Sequence, residues 1–178
     1  MKPSKYALPV IAALSLALTL FGAGSATAAW SVEPGRFPHT QALTDGKLTV
    51  TVTNTTDIPA GCALSVYRAA DASAVANMTR VMNEFYAGQA TSADLLAARA
   101  LIAQGQYTDL TMNSMMAGGT SHQFTWNSRR TDTSYTVLQN CTANDEAGTV
   151  IWGVSSYVVS GSGARGSGGT GSLGSLFG

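Results

Sequence analysis

Short segments in which apolar and polar residues alternate are the feature that most restricts the fold of this chain. Residues 47–53 read Lys-Leu-Thr-Val-Thr-Val-Thr, so the leucine and both valines project to one side and the threonines to the other. Because successive side chains of a β-strand point to opposite faces, this pattern predicts a strand with one buried face. Such a strand needs a second layer of structure to cover its apolar face.

Similar patterns predict further strands along the chain. Cys62, Leu64 and Val66 repeat the period of two, and we expect their segment to form an antiparallel pair with residues 47–53. The other expected strands cover residues 30–32, 107–112, 122–126, 135–141 and 149–159. Seven short strands separated by Gly, Asn and Asp are typical of two stacked sheets.

A helical period interrupts the strands after the third of them. Across residues 71–88 the apolar positions recur every three or four residues, and Asp71 is the expected N-cap. Thr91 and Asp94 then form the pattern of a capping box at the start of a second helix. We expect a helical hairpin over residues 71–105, inserted between strands, with its apolar face buried against its own domain.

Both ends of the chain differ from the body. Residues 1–28 have the layout of a secretory signal peptide, with an apolar run that is shorter than the roughly 20 residues of a membrane-spanning helix, followed by Ala26-Thr27-Ala28 as the cleavage site. The mature chain therefore has no predicted transmembrane segment. Residues 160–178 contain eight glycines and five serines, a composition that favours a flexible coil.

The charge content excludes some partners and the two cysteines predict a covalent link. Only 11% of the residues are charged, with 10 basic against 10 acidic, so we expect no nucleic-acid surface. Arginine outnumbers lysine seven to three, which favours a bacterial source. Two cysteines in an exported chain predict a single disulfide between Cys62 and Cys141.

Residues that carry chemistry are scarce, and two specific alternatives remain open. Met112, Met115 and Met116 precede His122, and thioethers with an imidazole are ligands that suit copper(I), although methionines also fill cores. A small secreted hydrolase would need His39 or His122 as its base, but the neighbouring Ser121 should point to the opposite face of its strand. We therefore expect neither an enzyme nor a cofactor.

The strand number, the cysteine pair and the size together resemble an immunoglobulin-like or fibronectin-type β-sandwich over residues 29–159. The resemblance implies a mostly β domain, here with an inserted helical hairpin and a Gly/Ser-rich tail. We expect a secreted, extracellular or cell-wall-associated binding or structural module whose partner is a protein or another envelope component. The candidate partner contacts are Arg129, Arg130, Leu173, Leu176 and Phe177.

Overall fold

The computed structural model describes residues 30–102, 106–129 and 134–161. The expected signal peptide and nearly all of the tail lie outside these ranges, and so do four of the candidate partner contacts, Arg130, Leu173, Leu176 and Phe177. In chain order the elements are β1 (Trp30–Val32), β2 (His39–Thr44), β3 (Lys47–Thr53), β4 (Ala60–Arg68), α1 (Ala72–Tyr86), α2 (Ser92–Ala100), β5 (Thr108–Thr111), β6 (Ser121–Asn127), β7 (Ser134–Asn144) and β8 (Val150–Ser160).

The described strands form two sheets, so the protein is mostly β with two helices, as the sequence predicts. A five-stranded sheet, here called the central sheet, has the order β1-β8-β7-β4-β5. A three-stranded sheet, the outer sheet, has the order β2-β3-β6. Neighbouring strands are antiparallel except β1 and β8, which run parallel.

The main core lies between these two sheets. Leu48, Val50 and Val52 of β3 are almost completely buried, which confirms the face assigned from the alternating pattern. They belong to the same apolar cluster as Leu64 and Val66 on β4. Burying each side chain of this size contributes roughly 1.5–3 kcal/mol to folding, so this interface supplies the largest stabilising term of the domain.

The opposite face of the central sheet is covered by the helices. Val75 and Val81 of α1 and Ala98 of α2 pack with Leu138 of β7 and Val154 of β8 in a second apolar cluster. The expected burial of the hairpin against its own domain is thus confirmed for most of its apolar face. The central sheet is the middle of three layers, with the outer sheet on one side and the helical hairpin on the other.

Three details of the hairpin differ from expectation. Asp71 occupies the N-cap position of α1, but its side chain makes no capping hydrogen bond and its buried Oδ2 has no partner among the described residues. Leu96 and Leu101 are 70% and 62% exposed. Both leucines face solvent because α2 packs into the second apolar cluster through its opposite side, which carries Ala98, with Ile102 just after the helix.

The capping box of α2 is confirmed. The Thr91 hydroxyl accepts a hydrogen bond from the Asp94 amide at 3.3 Å, and the Asp94 carboxylate accepts one from the Thr91 amide at 2.8 Å. Hydrogen bonds from the side chain and backbone of Thr91 hold the pKa of the Asp94 carboxyl below its usual value. Two backbone amides that the helix itself cannot satisfy are therefore paired.

Strand β2 is not among the seven strands expected from the sequence. It joins β3 through Asp45 and Gly46, whose φ angles of 49° and 74° lie in the left-handed region. Asp-Gly is a strong signal for a two-residue hairpin turn, because that turn needs positive φ at both of its central residues. This dipeptide, rather than the weak alternation of residues 39–44, is the feature from which β2 could have been predicted.

The expected pairing of residues 47–53 with the Cys62 strand is wrong. β3 pairs with β2 and β6, whereas β4 pairs with β5 and β7 in the other sheet. Asn54 redirects the chain between them. Its buried side chain donates to the Ile58 carbonyl at 2.9 Å and accepts from the Thr56 hydroxyl at 2.6 Å, so the segment crosses the core instead of turning back.

The disulfide between Cys62 and Cys141 is confirmed. The two cysteines lie directly opposite each other on β4 and β7, with their Cα atoms 4.1 Å apart. The bridge therefore joins neighbouring strands of one sheet, whereas the antibody-type bridge connects two sheets. No helix in the described ranges is long and apolar enough to cross a membrane.

We predict that replacing both cysteines, Cys62→Ala with Cys141→Ala, lowers the free energy of unfolding by about 4–5 kcal/mol. The bridge closes a loop with a sequence separation of 79 residues, and the estimate is the chain entropy that such a loop removes from the unfolded state. Urea unfolding followed by tryptophan fluorescence measures the change. Wild-type protein that has been reduced and alkylated is the control, and a loss below about 1 kcal/mol would contradict the prediction.

Candidate functional site

A groove runs along the helix-facing side of the central sheet, beside the disulfide-linked strands. Gly61, Ala63 and Ser65 form its floor because they alternate with the core-facing residues of β4 and carry small side chains. Helix α1 packs mainly over β8, so it leaves this part of β4 uncovered. The floor therefore stays open instead of being filled by a helix.

The groove divides into three connected chambers. The sulfur chamber, at the Gly61 end, has a volume of about 400 Å³. The middle chamber has about 250 Å³ and shares Ala63 and Asn140 with the sulfur chamber. The arginine chamber has about 160 Å³ and shares Tyr67, Arg99 and Gln106 with the middle chamber. The shared residues place the three chambers next to one another along the helix-facing side of β4, open to solvent.

Four of the six methionines of the chain line this site. Met112 and Met115 line the sulfur chamber, and Met78 and Met82 of α1 line the middle chamber. Methionine side chains are unbranched and adapt to ligands of irregular shape. The groove therefore has adaptable apolar side chains on its walls, beside the polar residues that complete its lining.

A local break in strand pairing places two of these sulfur atoms. β5 pairs with β4 as far as Thr111, and the chain returns to β4 at the bridge between Met116 and Ala60. Between these points the loop leaves the sheet edge, and Met112 Sδ accepts a hydrogen bond from the Cys62 amide at 3.4 Å. A Cβ at Gly61 would lie 3.0 Å from Met115 Sδ, so a larger residue there would displace that side chain.

A chain of hydrogen bonds forms the polar wall of the middle chamber. The Asp109 carboxylate accepts one hydrogen bond from the Ser65 hydroxyl at 2.5 Å and another from the side-chain nitrogen of Gln106. The side-chain oxygen of Gln106 accepts a hydrogen bond from the Tyr67 hydroxyl at 3.3 Å. Burial raises the pKa of Tyr67, so its hydroxyl stays protonated and remains a donor at neutral pH. Both carboxylate oxygens of Asp109 are thus occupied within the protein.

Arg99 and Asn140 are two polar groups of the groove that retain hydrogen-bonding capacity. The exposed Arg99 guanidinium makes no ion pair or hydrogen bond with any residue in the described ranges. Asn140, at the junction of two chambers, donates to the Tyr86 hydroxyl at 3.3 Å, but its buried Oδ1 has no partner within the described part of the chain. The site therefore offers a cation at one end and an amide oxygen near its middle.

The structure brings together only part of the expected copper cluster. Met112 and Met115 share the sulfur chamber, but the Met116 side chain is buried in the main core. His122 is on β6 of the outer sheet, where its ring contacts Phe124 edge-on with centroids 4.8 Å apart. Copper binding by this cluster stays a prediction, and two of its four residues line the groove.

The groups expected for a hydrolase are also placed apart. His39 and His122 stand in one row of the outer sheet, each paired with Val52, which lies between them. Ser121 points to the opposite face, as expected, and its hydroxyl hydrogen-bonds that of Thr53 at 2.8 Å. His39 stacks on Tyr157 with centroids 3.6 Å apart, so its ring serves as a packing surface.

Arg129 is the one candidate partner contact within the described residues. It is exposed in the turn after β6, has a φ of 58°, and its amide donates to the Asn127 side chain at 2.9 Å. The turn lies outside the groove. The sequence analysis did not identify the residues of the groove floor, whose small side chains give no chemical signal by themselves.

No protein-family model matches the chain, and a search of curated proteins finds no match to its sequence. The function is therefore inferred from the groove itself.

We predict that the His39→Phe variant loses less stability than the wild type when the pH falls from 7.5 to 5. Burial holds the pKa of His39 below its usual value of about 6.5, so on acidification the unfolded state binds the proton first. The wild type is therefore destabilised as the pH falls below about 6.5. Phenylalanine keeps the stack on Tyr157 but cannot titrate. Urea unfolding at several pH values measures both slopes, and equal slopes would contradict the prediction.

Proposed function

We propose that this protein is an exported, non-enzymatic binding module of the cell envelope or its surroundings, and that the methionine-lined groove is its binding site. The observation that carries the proposal is the uncovered floor of Gly61, Ala63 and Ser65 between two pairs of methionines. Protein interiors are normally close-packed, and a floor of such small residues leaves room for a ligand.

The size and lining of the groove support this proposal. Its two larger chambers fall together within the range of about 300–1,000 Å³ that is usual for small-molecule sites. Binding sites commonly combine apolar walls with placed polar groups. Here the methionines are the apolar part, and the polar groups include Arg99, Asn140 and the Tyr67–Gln106–Asp109 chain. Methionine-rich surfaces bind by adapting their shape, which favours a ligand with a flexible apolar part.

Export and the finer fold class are part of the same proposal. The signal-peptide pattern of residues 1–28 and the disulfide both favour an oxidising compartment outside the cytoplasm. The two stacked sheets support the immunoglobulin-like or fibronectin-type class, to which the helical layer would be an addition. In this proposal the outer sheet and the disulfide-linked strands are the scaffold, and the hairpin forms one wall of the site.

The proposal is tested with a neutral fluorescent probe, N-phenyl-1-naphthylamine, whose emission rises in apolar surroundings. We expect saturable binding to the purified protein, and at least about tenfold weaker binding to the Ala63→Leu variant. Ala63 lines both larger chambers, so a leucine there fills the floor where they join.

The matched control is Ala42→Leu, which makes the same change at an exposed position of β2 on the outer sheet. Its probe affinity should equal that of the wild type. Circular dichroism and thermal unfolding confirm that both variants fold. Equal affinity of Ala63→Leu and wild type, or no saturable binding at all, would overturn the assignment of the groove as a binding site.

A further inference from the structure

We propose that the occupant of the groove is a single-chain amphiphile with an anionic head, such as a fatty acid, bound with its head at Arg99 and its chain toward Met112 and Met115. This inference rests on the proposed function and adds the class and orientation of the ligand. Three features of the groove carry it: its elongated form, the separation of its polar and apolar ends, and the lone cation at one end.

The groove is elongated along one strand. Its floor follows β4 from Gly61 to Tyr67, and six steps along a strand at about 3.4 Å each span roughly 20 Å. A compact ligand would occupy one chamber and leave the others empty. An extended chain fills all three, so the form of the site fits a linear molecule.

The charged groups give the site a direction. Arg99 lines the arginine chamber with Tyr67, Ile102 and Gln106, and Asp109 is not among the residues that line this chamber. Asp109 and Arg99 both line the adjoining middle chamber, where Ser65 and Gln106 already occupy the Asp109 carboxylate. The arginine chamber therefore presents a cation without a competing carboxylate in its lining, and a carboxylate is the group that a guanidinium binds best.

The opposite end suits the apolar chain. Met112 and Met115 line the sulfur chamber above a floor of Gly61 and Ala63, and the rest of its lining is uncharged: Cys62, Thr111, Asn113, Ser114, Asn140 and Thr142. No Lys, Arg, Asp or Glu is among the described residues that line this chamber. An apolar chain that passes from Arg99 over Met78 and Met82 would therefore end among unbranched thioethers that can close around it.

The charge assignment is tested by competition against the bound probe with dodecanoate and with the neutral dodecanol, both below their aggregation limits. We expect dodecanoate to displace the probe at lower concentration than dodecanol. The Arg99→Gln variant should weaken dodecanoate binding about tenfold and leave dodecanol unchanged, because only the anionic head uses the guanidinium. Arg80→Gln is the matched control, since Arg80 lies on the exposed side of α1 and pairs with Glu84.

The orientation is tested by chain length. Gly61→Val adds bulk to the floor of the sulfur chamber, where a Cβ would already lie 3.0 Å from Met115 Sδ, and should weaken dodecanoate binding severalfold. The shorter hexanoate, which ends before that chamber, should bind as it does to the wild type. Equal losses for both acids would overturn the orientation. Circular dichroism of the variant confirms that it folds.

The outcomes separate this inference from the proposed function. Suppose that the probe binds and that Ala63→Leu weakens probe binding, but that dodecanoate does not displace the probe or Arg99→Gln does not change dodecanoate binding. The proposed amphiphile is then overturned, while the groove remains a binding site. If the probe does not bind, both fail. Binding of the protein to anionic phospholipid vesicles without binding of monomeric dodecanoate would also overturn the inference, since it would assign the arginine to a membrane surface.

Discussion

The pairing of β4 with β7, closed by the Cys62–Cys141 disulfide, is the interaction on which the other layers of the protein depend. These two strands lie inside the central sheet, so one of their faces meets the outer sheet and the other meets the helices. Both cysteines belong to the main core, and Cys62 also lines the sulfur chamber, so the link joins the core to one end of the groove. Without this pairing neither the sandwich nor the floor of the site would have a fixed surface to pack against.

The two faces of β4 show how one strand can serve both stability and binding. Leu64 and Val66 point into the core and are fully buried, whereas Gly61, Ala63 and Ser65 alternate with the core-facing residues and point to the groove. A strand in a sheet covered on both sides normally carries large apolar residues on both faces. On β4 the groove-facing residues are small, so packing contacts are lost only between this strand and the helices. The contacts of the main core are unaffected.

In this protein, local sequence patterns predict the local secondary structure well, but they predict the groove poorly. The alternation of residues 47–53 identifies β3 and its buried face, and Thr91 with Asp94 identifies the start of α2. The same alternation cannot tell which strand is the neighbour, because a period of two specifies the buried face but not the pairing partner. Asn54, whose side chain diverts the chain to the other sheet, has no signature that distinguishes it from a turn residue.

The groove is harder still to predict, because its residues come from β4, α1, α2, β5 and β7 and meet only through the three-dimensional fold. The sequence pattern predicts that Met78 and Met82 belong to the apolar stripe of a helix. It offers Met112 and Met115, with Met116 and His122, as a possible metal site. The expected core packing is confirmed for Met78, which is buried in the second apolar cluster with Met82 packed against it, and the fold puts Met116 in the main core. Methionines 78, 82, 112 and 115 also line one groove, which neither pattern indicates.

A physical difference separates the two sides of the central sheet. The core toward the outer sheet is rich in valine, a β-branched residue whose χ1 is restricted, so that interface is rigid and specific. The groove is lined by methionine, whose three rotatable bonds let its walls adjust around a guest. The disulfide and the stiff core fix the strands from one side, and this fixed backbone allows the other side to be adaptable without loss of the fold. In the proposed function, the ligand would be selected by its length and by the position of its charge, because adaptable walls discriminate weakly between shapes.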